Sequence, residues 1–520
     1  MGLLNNITKI FKVQPVKHKR VSFFTNSQSY IDFVFDKRGY AAAKQDRLVA
    51  DWQRSTESAN KEVKNGIRIV RDRARDLFNN NDYAKKYVEL CVQNIVGPNG
   101  VMLQNKAKEN NKLDKRANDL IEAAWKEWSK KEFCTVTGKL AFTEAKKMVL
   151  KHVARDGEIF VRKIKVNRKE NKYGFALQLI EPDHVDERLW QDDMKEGHYI
   201  RMGIEFDKWG KPVYYYVKNR PEKEYEMNGT NKSSDYMKVP ANEIIHVQKP
   251  DRADQARSVS WLVQSMIRLQ MLNGYEEAAL INARVSAAKM GFFTSEADNA
   301  AEYVGDDVDS DNNITMQVEP GKMEQLPPGI KFESWQPEYP TAQHNDFVKR
   351  TLEGIASGLG VSYASLSSDL EGVNYSSIRA GLVEEREQWK SLQNWFIENF
   401  VNPVYESWLE MALTTSAINL PISKYDKFNA PNWMPKRWSW VDPLKDIQAI
   451  EKAIQLKLRT RREAMAETNN DFEETIDALA EEKQYIIDKG LEQDFNDNNA
   501  DDNADLEDDN NDGEEDGNDE

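Results

Sequence analysis

The stretch SWLVQSMIRLQMLNGYEEAALINARVSAAK, residues 260–289, decides the fold. Leu262, Met266, Leu269, Leu272, Leu280 and Ala283 recur at the spacing of one helix face, which predicts a rod of about 45 Å at 1.5 Å rise per residue. A rod of that length needs a second element to cover its apolar side, and the following residues supply one. Over residues 294–340 the pattern breaks into an acidic patch at Asp306, Asp307, Asp309 and Asp311, a strand-like run at 314–318, and turn signals at Pro320-Gly321 and Leu326-Pro327-Pro328-Gly329. Helix returns over residues 342–359, where Phe347, Thr351, Ile355 and Leu359 share a face and Gly358 and Gly360 mark the stop. Two helical arms therefore flank an excursion. A polar loop at 365–374 then leads to a second long helix, 376–411, which carries Leu382, Trp389, Leu392, Phe396 and Phe400, with a kink expected at Pro403.

Outward from this centre, residues 40–130 read as amphipathic helices, with Tyr83, Tyr87 and Leu90 in register and a break at Gly97-Pro98-Asn99-Gly100. Trp125 and Trp128 keep the three-residue spacing and read as core anchors. Between 159 and 248 the period shortens: Ile159, Val161 and Ile164, then 176–180, 213–217 and 244–247, predict short strands, with a hairpin turn at Asp207-Lys208-Trp209-Gly210-Lys211-Pro212. Past residue 431, Trp433, Trp438 and Trp440 sit among Pro431, Pro435 and Pro443 and read as packing at a joint, after which helices are expected over 444–458 and 471–487.

The net charge of -15 is not spread along the chain. Fifteen Asp and Glu and no Lys or Arg fall in 491–520, so residues 1–490 balance. This tail has too few apolar residues to fold and is expected to be disordered, and residues 1–39, basic through Lys9, Lys12, Lys17, Lys19 and Arg20, form an arm expected to be flexible. A balanced body argues against a protein that grips DNA through many phosphate contacts, but permits a surface along which DNA slides. Cys91 and Cys134 lack a CxxC spacing, which fits a reducing compartment and assembly in a cytoplasm. No apolar run reaches eighteen residues and the N-terminal patch is too broken for a signal peptide, so no membrane association is expected.

Catalytic motifs are missing from the sequence. There is no phosphate-cradling G-x-x-x-x-G-K-[ST], no H-E-x-x-H and no G-x-S-x-G, and the histidines at 18, 152, 184, 198, 246 and 344 are scattered. Asp183, His184 and Asp186 follow Glu181-Pro182, which reads as a turn. Arg155-Asp156-Gly157-Glu158 reads as a helix-to-strand corner with its glycine at positive φ, not as a carboxylate pair. No cofactor, metal site or catalytic residue is expected.

Several strings, taken in order, resemble the lambda family of phage portal proteins. They run through Tyr40-Ala41-Ala42-Ala43, Trp52, the segments 69–77, 80–84 and 94–97, then 154–158, 177–183 and 203–207. The most specific are Ser368-Asp369-Leu370 with Asn374-Tyr375-Ser376-Ser377 and Arg379-Ala380, and Trp440-Val441-Asp442-Pro443 ahead of Arg461-Arg462-Glu463. The resemblance implies an α+β, predominantly helical portal fold with wing, stem, clip and crown regions and a β-rich insertion. Its division would be a wing over 40–255, a stem helix 256–293, a clip 294–340, a second stem helix 341–360, a tunnel loop 361–375, a long wing helix and joint 376–442, and crown-like helices 443–490.

By the same resemblance the chain is expected to form a homo-oligomeric ring, typically a dodecamer, at one capsid vertex, as the channel for packaging and ejecting double-stranded DNA. Ser367, Ser368, Asp369, Leu370, Glu371, Gly372, Val373, Asn374 and Tyr375 would line that channel and make weak, sequence-blind DNA contacts. Val318, Pro320, Gly321, Leu326, Pro327 and Gly329 of the clip would dock the terminase large subunit and later a head-tail adaptor, and the major capsid and scaffolding proteins would be further partners. Two other readings compete. One is a metal-dependent nuclease or protease of phage maturation built on Asp306–Asp311 or Asp183–Asp186; the other, an internal scaffolding protein, is disfavoured by the β-rich module and the tryptophans.

Overall fold

The computed structural model describes residues 56–110, 112–218, 236–287, 291–295, 330–334, 344–371, 375–438, 443–467 and 472–489, and the elements below lie in its compact unit Ala59–Glu520. In chain order they are α1 (Ala59–Asn80), α2 (Asp82–Cys91), β1 (Met102–Asn105), α3 (Lys115–Trp128), α4 (Phe142–Asp156), β2 (Glu158–Lys165), β3 (Phe175–Ile180), β4 (Tyr199–Arg201), β5 (Ile204–Phe206), β6 (Pro212–Lys218), β7 (Tyr236–Pro240) and β8 (Ile244–Gln248). There follow α5 (Met266–Ala287), β9 (Gly291–Ser295), β10 (Ile330–Ser334), α6 (His344–Leu359), α7 (Tyr363–Ser367), α8 (Tyr375–Phe396), α9 (Asn402–Thr414), β11 (Pro431–Met434), α10 (Pro443–Gln455), α11 (Arg461–Glu467) and α12 (Phe472–Lys489).

The two helical arms are present and antiparallel: Ser265 Oγ donates to Ile355 O at 3.2 Å, and ten residues further on Tyr275 stacks against His344 and Phe347 at 5.4 and 4.9 Å. The rod is shorter than expected. Helix α5 begins at Met266, not at residue 260, and its 22 residues span about 33 Å. The reason lies in its first turn, where Trp261 N and Ser260 Oγ both donate to Ala154 O and Ser260 Oγ accepts from Leu262 N. These bonds commit the backbone to α4 before a helix can start. Leu262, Met266, Leu269 and Leu272 are buried as the spacing requires, whereas Leu280 is 67% exposed. It lies more than a turn past Tyr275, beyond the stretch that α6 covers.

The excursion is rooted in a two-stranded antiparallel ladder, Gly291 opposite Ser334 and Ser295 opposite Ile330, which the sequence reading missed. The strand expected at 314–318 and the acidic patch at 306–311 lie outside the described residues. So do the clip candidates Val318, Pro320, Gly321, Leu326, Pro327 and Gly329.

The β-rich module holds every predicted strand and three more, β4, β5 and β7. They form two antiparallel sheets, ordered β8-β2-β3 and β4-β5-β6-β7. The first sheet separates two hydrophobic clusters: Ile159, Val161, Leu177 and Val247 face the larger, helix-lined core, while Phe160, Ile180 and Ile244 face the smaller core under the second sheet. Both faces being covered explains why successive apolar residues, Ile159-Phe160-Val161 and Ile244-Ile245, point to opposite cores and are all buried. Gly157, at φ 96, makes the corner between α4 and β2, and a Cβ there would sit 2.5 Å from the Val259 carbonyl carbon, so only glycine fits.

Trp125 and Trp128 stack at 5.0 Å inside the larger core with Phe142, Tyr405 and Trp408 around them. Trp433, on β11 paired to β1, packs against the same Trp125, and Trp438 Nε1 donates to Asn94 Oδ1, so these two tryptophans serve packing, while Trp440 lies outside the described residues. The kink at Pro403 takes a definite form. A π-helical turn, Ile397–Val401, separates α8 from α9, since a proline at 403 has no N–H for the residue 399 carbonyl and its ring needs the wider turn.

Candidate functional site

The segment 365–374, within the tunnel loop expected over 361–375, was expected to be a polar loop. Its start is helical: residues 363–367 make the one-turn α7, with Ser362 as N-cap accepting from Ser365 N and Ser368 as a left-handed C-cap at φ 60. Serine tolerates that backbone only when its surroundings hold it. Here they do. Ser367 Oγ donates to Tyr363 O and accepts from Asp369 N, Asp369 Oδ1 accepts from Glu371 N at 2.8 Å, and Asp369 Oδ2 accepts from the Tyr363 hydroxyl at 2.9 Å. The Glu371 amide and the Tyr363 hydroxyl together hold the Asp369 carboxyl below its usual range, so its negative charge persists.

The root of the segment is fastened separately. Glu385 on α8, a buried carboxylate, accepts from Ser362 N, Ser365 Oγ and Trp389 Nε1 at 3.3, 2.9 and 3.1 Å. What the turn leaves for solvent is Ser368, Glu371 and Leu370, the last 64% exposed. The Ser367 hydroxyl, expected to be free for weak contacts, is used internally. Gly372, Val373 and Asn374 lie outside the described residues, and Tyr375 opens α8. Tyr363 and Glu385 were not singled out in the sequence, because a tyrosine six residues before the aspartate and one glutamate in an acidic helical stretch carry no distinguishing spacing.

Of the two alternative hydrolytic clusters, Asp306–Asp311 lies outside the described residues and Asp183–Asp186 does not assemble. Asp183 is held by Arg71 at 3.3 Å and Arg75 at 2.6 Å, His184 Nδ1 bonds Lys218 O, and Asp186 takes Lys218 Nζ and the Tyr236 hydroxyl. The three residues thus serve three different contacts, and Pro182–His184 is a 3-10 turn, as its sequence suggests. Among the described residues no group of three or more His, Cys, Asp and Glu is placed to hold a metal ion.

The acids and arginines of the helix-to-strand corner instead form a buried cluster. Glu158, fully buried, receives Arg257 Nε at 2.7 Å, His246 Nε2 at 2.9 Å and Arg71 Nη2 at 3.2 Å. Arg257 reaches onward to Val185 O, Met202 O and Pro182 O and so ties the second sheet's loops to β2. Burial alone would raise the Glu158 pKa, but the Arg257 charge and the His246 bond overcome it and bring the group down to about 2. Next to it, Asp156 accepts from His152, Arg155 and Arg75, which hold it far below the ordinary carboxylate range against its own burial. These are side chains whose partners are already in place, with no open position for a substrate.

Comparison with known proteins decides the family. Residues 45–393 match the family described as phage portal protein, lambda family. The chain belongs to that family. It is 31% identical over 454 residues to a probable portal protein of Halomonas phage phiHAP-1, covering 86% of each chain. It is 23% identical over 473 residues to portal protein B of Escherichia phage lambda, covering 81% of this chain and 85% of that one. Among solved structures, the neck of a native gene transfer agent particle computed with C12 symmetry overlaps 75% of this chain and 92% of its own at 12% identity, a loose likeness with a TM-score of 0.39. The function is accordingly that of a portal protein at a capsid vertex, in a family that is structural and not enzymatic.

Proposed function

We propose that copies of this chain close into a ring, with twelve as the expected number, through which double-stranded DNA passes into and out of the head. Segment 361–375 would line the narrow part of the passage and segment 294–340 would form the clip. There the terminase large subunit docks during packaging and a head-tail adaptor docks afterwards, while the major capsid and scaffolding proteins hold the ring in the shell.

The observation that carries the ring is on α5. Ile267 and Met271 are 72% and 70% exposed, and Ile281 is 52% exposed, on one stripe with Gly274 and Ala278 between them. A helix that already packs against α6 has a second apolar stripe in water. Cyclic symmetry covers such a stripe identically in every copy. The exposed part of segment 367–371 suits a passage that must not hold DNA, since Asp369 and Glu371 repel phosphate and Ser368 offers one short neutral contact.

Light scattering with negative-stain imaging of the purified full chain tests the reading. An annulus with a central hole wide enough for duplex is expected. A chain that stays monomeric at high concentration and in the presence of its capsid proteins refutes it.

A further inference from the structure

The segment 367–371 is held at two points of unequal strength. Its root is fastened to α8, where Glu385 accepts from Ser362 N and Ser365 Oγ. Its tip is held back to the body by a single phenol, Tyr363, whose hydroxyl donates to Asp369 Oδ2 at 2.9 Å. Between root and tip lies Ser368 at φ 60, a backbone state that a serine leaves when nothing holds it there. The start of the segment is also tied to α7, by Ser367 Oγ donating to Tyr363 O and Ser368 N to Ala364 O, while the bonds of Asp369 N to Ser367 Oγ and Glu371 N to Asp369 Oδ1 are internal to the turn and are lost when it extends.

We propose that Tyr363 is a conformational clasp: bonded to Asp369 it keeps residues 367–371 folded against α7, and swung away it lets Ser368 relax and the segment extend. Tyr363 is well placed to sense the neighbouring helix, because Lys349 of α6 lies with its Nζ 5.6 Å from the phenol ring. Burial and the Asp369 bond both push the Tyr363 hydroxyl pKa upward, so the pair stays phenol and carboxylate at neutral pH. The consequence for function rests on the channel reading above. The clasped and extended forms differ in how far Asp369, Leu370 and Glu371 reach toward passing DNA, and a shift of α6 against α8 would select between them.

Hydrogen exchange of the full-length assembled protein, read by mass spectrometry with electron-transfer fragmentation to single amides across residues 362–372, tests the clasp. In Tyr363→Phe, which keeps the packed ring, the amides of Asp369 and Glu371 are expected to exchange about tenfold faster, the effect of one lost hydrogen bond to a charged group. The amides of Ser365 and Leu366 at the root should not change. Adding Ser368→Gly, which holds a left-handed φ without strain, should restore much of the protection. Exchange within twofold of the parent in Tyr363→Phe, or equal acceleration at root and tip, overturns the clasp. DNA packaging by particles carrying Tyr363→Phe is a separate readout: faster exchange with unchanged packaging leaves the clasp standing and removes the segment from the channel.

Discussion

Replacing Arg257 by methionine removes a buried side chain that joins β2 to the loops of the second sheet. Arg257 is fully buried and bonds Glu158, Val185 O and Pro182 O at 2.7, 2.7 and 3.1 Å, so the substitution strips a buried carboxylate of its closest cation and takes one donor from each carbonyl. Breaking one side of a buried ion pair costs about 3–5 kcal/mol, and Glu158 keeps His246 and Arg71, so about 4 kcal/mol is a fair figure. With an unfolding entropy of about 2.1 cal/mol/K per residue over roughly 400 cooperatively melting residues, that loss lowers the melting temperature by ~5 °C. Calorimetry at pH 7 measures it. The double variant Arg257→Met with Glu158→Gln should recover about half, because the unpaired charge is gone. The sign with pH follows from Glu158, whose folded pKa of about 2 lies below its ordinary 4.5: its stabilisation is complete above 4.5 and is lost as pH falls through 2. A single variant that melts within 1 °C of the parent at pH 7 refutes the reasoning.

The remaining predictions concern single positions. Lys146 is buried with one acceptor, Val101 O at 2.9 Å, and burial brings its pKa down to about 7. Folding therefore opposes its charged form, the parent should gain stability as pH rises from about 7 to 10.5, and Lys146→Met should be more stable at pH 6 by about 1–4 kcal/mol with a flat profile, as denaturant titrations at several pH values would show. Gly157→Ala should cost at least about 2 kcal/mol or prevent folding, since a Cβ meets the Val259 backbone at 2.5 Å and φ is 96; solubility and melting temperature report it. Exchanging both Asp369 and Glu371 for lysine should add phosphate attraction and slow DNA passage, seen as a lower packaging rate that recovers at higher salt.

Periodicity carried the helices and the four strongest strands because their burial is set locally, by which residues face a core. It failed where a distant partner decides the backbone. Residues 260–265 have helix-compatible side chains, but Ala154 O captures the backbone at 260–261 and postpones the helix by a turn and a half. Strands β4 and β5 were missed because each is only three residues long, and β7 because its partner β6 lies well back in the chain, with Pro240 opposite Tyr214. For the site, the string from Ser368 to Tyr375 was visible as a resemblance, whereas its support was not. Neither the Tyr363–Asp369 bond nor the threefold acceptor Glu385 has a spacing that sets it apart from ordinary surface residues.

The buried cluster also bears on how a balanced chain can let DNA pass. Counted in the sequence, Arg71, Arg75, Arg155 and Arg257 are four of the cations that bring residues 1–490 to neutrality. In the fold each is bound to Asp156, Glu158 or Asp183, and Arg71 and Arg257 are shut away from water. A cation so paired releases no counterion to a phosphate, so on the channel reading proposed above the body would bind DNA more weakly than its arginine count implies. The exposed carboxylate of Glu371 and the retained charge of Asp369 then face whatever approaches segment 367–371 without a basic group among its own residues to offset them. A ring of such segments would repel a duplex evenly from all sides, and even repulsion centres a moving polyanion where a ring of arginines would stall it.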